Sequence, residues 1–322
     1  MPISACLYDA EGSDRTVQLN RAVIDSLRES QLLWIDLEAF DESEVRQVGA
    51  LLGLKRESIY DLLQPVRRPR LDNYGSYFQL SIDTIREADH RYGAAELDFI
   101  VGENYVVTAH REPVAFLKSF DQRIKGDSQL GQLDASSFLA SLLDWHVTSY
   151  FRVVESLETQ IDRLDELALR PHSDRDLLAD LIVLRRHVAQ VRRTLTPHRE
   201  VYSALARPDF LVLASSESAG HFRALNDRLE RAVDTVENAR ELLVGSFEMF
   251  TTQTALRTNE VMKTLTLFSV VLLPAGVIVA IMGMTFRSPV YQMGTPGFWA
   301  MLALIVMLGL LTVTIARRRR WI

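Results

Sequence analysis

The sequence predicts a membrane protein in three parts: an α/β N-terminal domain, a long-helix bundle with a stalk, and a two-helix transmembrane hairpin. Three observations carry this. Residues 1–134 mix short alternating apolar runs with helical patterns, as an α/β domain does. Residues 135–260 place their apolar side chains at helical spacing. Residues 265–282 and 298–316 are apolar and hold no charged side chain.

In the first part, residues 32–37 (LLWIDL) read as a short apolar strand. Asp41 and Glu44 form a capping-box pattern that opens a helix through Leu52. Residues 77–85 alternate apolar and polar side chains and read as a second strand. Residues 97–101 and 105–109, joined by Gly102-Glu103-Asn104, read as a hairpin.

In the second part, Leu139, Leu142, Leu143, Val147, Val154, Leu157, Ile161 and Leu164 mark one helix, broken at Pro171. A second runs over about 174–196 and stops near Pro197. From His221 onward nothing breaks the pattern before Pro274, so one helix is expected to leave the bundle and become the first span. Its apolar face is Leu225, Leu229, Val233, Val236, Leu242 and Leu243. A helix this long needs partners, so oligomeric packing is expected.

The two spans hold about 18 and 19 residues, close to the roughly 20 that cross hydrocarbon. The division is 1–134 (α/β), 135–260 (bundle and stalk), 261–284 (first span), 285–297 (loop), 298–316 (second span) and 317–322 (basic tail). Lys263 and Arg317, Arg318, Arg319 and Arg320 flank the hairpin on one side, while the loop carries only Arg287. Basic residues stay cytoplasmic, so both termini are placed in the cytoplasm and the loop outside. Trp299 and Trp321 suit the aromatic belts. The start, Met1-Pro2-Ile3-Ser4, lacks the basic-then-apolar pattern of a cleavable signal. A net charge of −6 gives no sign of nucleic-acid binding, and the single cysteine, Cys6, excludes an internal disulfide framework.

Counting by threes and fours from Asn259 reaches Met262, Leu265 or Thr266, Ser269, Leu273, Gly276, Ala280 and Gly283. This stripe gathers most of the small and polar residues of the first span. It reads either as the lining of a pathway enclosed by several copies or as a close-packing face in a non-conducting bundle. Neither span carries a charge, so a pathway would use hydroxyl, amide and backbone oxygens, with Met262 and Leu273 as apolar constrictions. Such rings suit a hard cation that keeps much of its water. On the stalk, Asp227, Glu230, Asp234, Glu237 and Glu241 share helical spacing with Arg223, Arg228, Arg231 and Arg240. They read as a solvated, ion-paired face or as an acidic lining with an intersubunit metal site at Asp227 and Asp234. There is no Walker loop, no GxGxxG and no HExxH, so neither an enzyme nor a covalent cofactor is expected. The histidines form no short-spaced ligand pair and read as surface or structural groups.

Asn259-x-x-Met262-Lys263-x-Leu265-Thr266, then Pro274, then Gly283-Met284-Thr285 resembles the CorA family of divalent-cation channels, which end this span in Gly-Met-Asn. Upstream, Arg68-Pro69-Arg70-Leu71-Asp72-Asn73-Tyr74, residues 105–110 and Thr196-Pro197-His198-Arg199-Glu200-Val201 look like the family's N-terminal domain and its Pro-containing helix junction. The resemblance implies a homopentamer in a bacterial inner membrane, its five long helices forming a funnel that continues into a pore. It implies Mg²⁺ or Zn²⁺ as the transported ion. Gly283, Met284 and Thr285 would form the outer mouth, and the C-terminal arginines would surround the funnel neck. Thr285 stands where the family has Asn, and the loop lacks acidic residues. The zinc-transporting ZntB branch also varies the tripeptide and tolerates a less acidic loop. The alternative is a membrane-anchored metal sensor or scaffold that does not conduct.

Overall fold

A computed structural model describes residues 3–9, 14–28, 30–64, 68–88, 91–124, 134–168, 174–207, 216–283 and 294–318. Contacts gather the chain into two units, 1–246 and 247–322.

The first unit is built on a seven-stranded mixed sheet of order β2-β1-β3-β7-β6-β5-β4. Its strands are β1 (Ile3–Asp9), β2 (Arg15–Thr16), β3 (Gln31–Glu38), β4 (Arg70–Asn73), β5 (Phe78–Ala88), β6 (Arg91–Val101) and β7 (Tyr105–His110). The β3–β7 pair is parallel, with Leu33 opposite Tyr105, and every other pair is antiparallel. The 32–37 run becomes β3, and its two-residue period sorts the side chains between two cores. Leu33, Ile35 and Leu37 join Val45, Val48, Leu54 and Leu62, from α2 (Glu42–Leu52), α3 (Arg56–Leu63) and the turn joining them. On the other face Trp34 packs edge-on against Phe120 and Phe138, with centroids 6.0 and 5.7 Å away. Those rings come from α4 (Ala115–Ile124) and α5 (Ala135–Ala168).

The expected capping box forms. The Glu44 N–H donates to the Asp41 carboxylate at 2.9 Å, and the Asp41 N–H donates to Glu44 Oε2 at 3.0 Å. The hairpin is also as expected, with Val101 opposite Val106 and the Gly102 N–H bonded to the Tyr105 carbonyl at 3.0 Å. Gly102 is required there, because a Cβ would lie 2.3 Å from the Tyr105 ring.

The bundle adds α6 (Asp174–Leu195), α7 (His198–Leu205) and the first part of α8 (Ser216–Gly283). Pro197 does more than end α6. Its own φ of −63° and ψ of −20° are helical, and it starts α7, a helix the sequence reading did not resolve. On α8 the face Leu225, Leu229, Val233, Val236 and Leu243 is buried, whereas Leu242 is 51 % exposed. Leu242 sits about 100° around the helix from Leu243 and misses the core.

In the second unit α8 runs on to Gly283, and α9 (Thr295–Arg318) follows. Both carry stretches long and apolar enough to cross a membrane. They meet along a narrow seam. Leu267, Val271, Pro274, Ala275 and Ile278 of α8 are half-buried, as are Met301, Ile305, Leu308, Gly309 and Thr312 of α9. Each set repeats at three- and four-residue steps, the mark of helix-on-helix packing. Pro274, inside α8, lies on this seam.

Candidate functional site

The stripe on α8 lies roughly opposite the seam. At about 100° per residue, the seam positions and the stripe positions Asn259, Met262, Leu265, Thr266, Ser269, Leu273, Gly276 and Ala280 centre on opposite sides of the helix. All eight are exposed within one chain, including Met262 at 55 %, Leu265 at 59 % and Leu273 at 67 %. The hairpin partner therefore does not cover the most polar side of α8. A Cβ added at Gly276 would meet nothing within 4 Å. Gly283 closes α8, while Met284, Thr285 and Arg287 lie outside the described residues. Arg317 and Arg318 end α9 in exposed positions, and Arg319 and Arg320 lie outside the described residues.

The stripe hydroxyls have a defined polarity. Thr266 Oγ1 donates to the Met262 carbonyl at 2.7 Å, and Ser269 Oγ donates to the Leu265 carbonyl at 2.9 Å. A hydroxyl has one proton and two lone pairs. With the proton turned back into the helix, each presents acceptor lone pairs on the exposed side. Such groups suit the hydrogens of a cation's water shell. Sequence reasoning missed Thr258, which lies on this face and donates to the Thr254 carbonyl at 2.8 Å. The readable signal was its seven-residue step to Leu265.

On the stalk the acidic residues pair mostly with neighbouring helices. Arg199 on α7 lies 2.7 Å from Glu230 and 3.9 Å from Asp234. Glu237 pairs with Arg192 of α6 and, at 3.7 Å, with Arg240. Arg228 pairs with Asp144 of α5 and donates to Thr148 Oγ1 at 2.9 Å. Asp227 is exposed, and no ion pair reaches it among the described residues. Among the described residues of a single chain, no three His, Cys, Asp or Glu side chains gather to hold a metal.

Two histidines are buried structural groups. β4 starts at Arg70 opposite Ser81, so Asp83 on β5 has a strand partner, Glu96, on one side only. Side chains complete the other side. The Asp83 carbonyl accepts from His146 Nε2 at 3.0 Å and from the Tyr150 hydroxyl at 2.9 Å. The Asp83 N–H donates to His198 Nε2 at 3.1 Å. His146 Nδ1 then accepts from the Tyr202 hydroxyl at 2.9 Å, and His198 Nδ1 donates to the Leu195 carbonyl at 3.1 Å. Every ring nitrogen is satisfied with both imidazoles neutral. Burial pulls His146 down to about 3, helped by His198 beside it, and pulls His198 down to about 4.

Residues 29–318 match the family described as CorA-like Mg²⁺ transporter protein. The chain is 26 % identical over 294 residues to the cobalt/magnesium transport protein CorA of Thermotoga maritima, covering 90 % of this chain and 83 % of that protein. Its fold is similar to the complete CorA magnesium transporter from Methanocaldococcus jannaschii, with a TM-score of 0.82 at 20 % identity, covering 99 % of this chain and 98 % of that one. It is also similar to the full-length CmaX protein, with a TM-score of 0.78 at 23 % identity and coverage of 99 % and 97 %. The α/β domain, long helix and two apolar helices expected from the sequence all recur in those full-length folds.

Proposed function

The chain belongs to the family of CorA-like Mg²⁺ transporter proteins, and from that premise we propose that it carries a hydrated divalent cation, Mg²⁺ or Zn²⁺, across a bacterial inner membrane through a homo-oligomeric pore. Both termini face the cytoplasm. The observation that carries the reading is the polar stripe of α8, exposed on the side its own hairpin partner leaves open. One two-span subunit cannot enclose a pathway, so several copies, five on the family resemblance, place their stripes around one axis.

The stripe then acts as a sequence of rings. Gly283, Met284 and Thr285 form the outer mouth, where the Thr285 hydroxyl meets hydration water. Gly276, Ala280, Ser269, Thr266 and Asn259 line the path. Leu273, Leu265 and Met262 narrow it, and apolar rings of this kind gate by excluding water. Mg²⁺ sheds water reluctantly, and the outward lone pairs of Thr266 and Ser269 accept from its water shell. No covalent chemistry and no resident cofactor are called for. At the inner end Arg317, Arg318, Arg319 and Arg320 surround the mouth. A regulatory ion at Asp227 or Asp234 draws its remaining ligands from a second copy.

A second reading, a sensor or scaffold that binds metal without conducting, is favoured by one observation: Thr285 and Arg287 replace the Asn and the acidic loop of the resembled channels. Flux into liposomes separates the two. Uptake of Mg²⁺ or Zn²⁺ by the reconstituted protein supports transport. No uptake by the folded oligomer, with or without Thr285→Asn, leaves the sensor reading.

A further inference from the structure

A cavity of about 460 Å³ opens in the first unit, walled by β1, β2, β3 and α4 and distant in sequence from the α8 stripe. Its volume falls within the range of small-molecule sites, about 300–1,000 Å³. Its apolar floor includes Trp34 and Leu117. Its polar lining sets Asp14, Asp36, Glu38 and Asp121 against Arg15, Lys118 and His110. Lys118 is already taken, 3.1 Å from Glu38.

One buried acceptor atom in this wall lacks a hydrogen bond. Asp14 Oδ1 receives the Asp9 N–H at 3.3 Å, but Asp14 Oδ2 is buried without a donor. His110 is 3 % exposed, and its Nδ1 donates to the Glu112 carbonyl at 2.7 Å. Its Nε2 lies 3.3 Å from Asp36 Oδ1; burial opposes the charge, but the Asp36 carboxylate holds the imidazole above its usual value, so His110 is a donor already paired with Asp36. An unmet buried acceptor is costly and calls for a donor-only partner. A bare metal ion does not fit, because no three ligating side chains converge among the described residues. An anion does not fit the acidic lining.

We propose that this cavity binds a small organic ammonium ion, its N–H groups donating to Asp14 and the neighbouring acceptors and its carbon chain lying along Trp34 and Leu117. An ammonium group has three donors and no acceptor, and the Trp34 ring adds a cation–π surface. The site is independent of the transport reading and would hold whether or not the protein conducts.

The test uses full-length protein in detergent micelles, with butane-1,4-diamine as the probe and butane-1,4-diol as its neutral control, at matched ionic strength. The diamine should raise the melting temperature saturably, by roughly 5 °C at a hundredfold excess over Kd, and the diol should not. In Asp14→Asn, which preserves shape and the Asp9 contact, the diamine shift should fall by at least half. The proposal is overturned if the diol shifts wild type as much as the diamine, if NaCl alone reproduces the shift, or if Asp14→Asn responds like wild type. Calorimetric titration of wild type with the diamine decides the matter should Asp14→Asn not fold: saturable heat absent with the diol supports the site, and no heat overturns it.

Discussion

Acidification should destabilise the first unit through His146 and His198, and the size of the effect follows from their setting. Both rings are buried and neutral in the folded chain, held near 3 and 4. In the unfolded chain each returns to about 6.5. The unfolded state therefore binds more protons below pH 6.5, so the stability these groups protect is present above that pH and is lost as pH falls toward the folded values. From pH 7 to pH 5 each ring costs about 1.9 kcal/mol, or about 4 kcal/mol for the pair. Asp98 acts in the opposite sense. Burial pushes its carboxyl up to about 7 despite the Ser81 hydroxyl bond, so the folded state gains about 2 kcal/mol over the same interval. Comparison with His146→Gln removes that offset. Gln keeps a donor for the Asp83 carbonyl and an acceptor for Tyr202, but it does not titrate. Thermal unfolding of the full-length protein in micelles at pH 7 and pH 5 reads the difference. Wild type should lose about 4–8 °C more than His146→Gln, at roughly 2–4 °C per kcal/mol for a chain of this size. Equal acid sensitivity in the two proteins would refute the buried-imidazole reasoning.

Other outcomes follow from the same structure. Leu273→Ser should raise resting cation leak into liposomes severalfold, because a hydroxyl wets an apolar ring, and leak equal to wild type would count against the constriction. Asp227→Asn with Asp234→Asn should shift the metal concentration at which flux changes, read as a dose–response curve, while an unmoved curve removes both residues from regulation. Leu229→Ala, at a fully buried α8 position, should destabilise the first unit by about 2–5 kcal/mol, measured as a lower melting temperature. Arg228→Ala should cost less, about 1 kcal/mol, because the Asp144 pair is a third or more exposed.

Much of the fold was legible because local signals agreed with the tertiary outcome. The 32–37 run, the Asp41/Glu44 cap and the Gly102 hairpin each carry a short-range cause that the structure repeats. The uncharged runs around Pro274 and after Phe298 were legible because lipid solvation leaves few alternatives. β1 and α7 were not. β1 owes its strand to pairing with β3, from Ile3 opposite Leu37 to Asp9 opposite Gln31, a contact no local pattern reveals. α7 lies behind Pro197, whose fixed φ serves a helix start as well as a helix end. The stripe was legible as a periodicity. Its placement opposite the α9 seam was not, because that depends on which face α9 covers. His146 and His198 lie far apart in sequence and come together, with ring centroids 5.1 Å apart, at the backbone of Asp83.

The most direct test of the central claim asks whether water reaches the stripe. In a Cys6→Ser background, Ser269→Cys and Gly276→Cys probe the stripe, and Val271→Cys probes the seam. A membrane-impermeant cationic thiosulfonate reagent is applied to the protein in liposomes while Mg²⁺ and Zn²⁺ uptake is followed. The account predicts that the two stripe cysteines react and lose uptake as they do, while the seam cysteine reacts at least tenfold more slowly and keeps it. Equal protection of all three, or modification at Ser269→Cys and Gly276→Cys with uptake unchanged, would contradict a cation pathway along this face of α8.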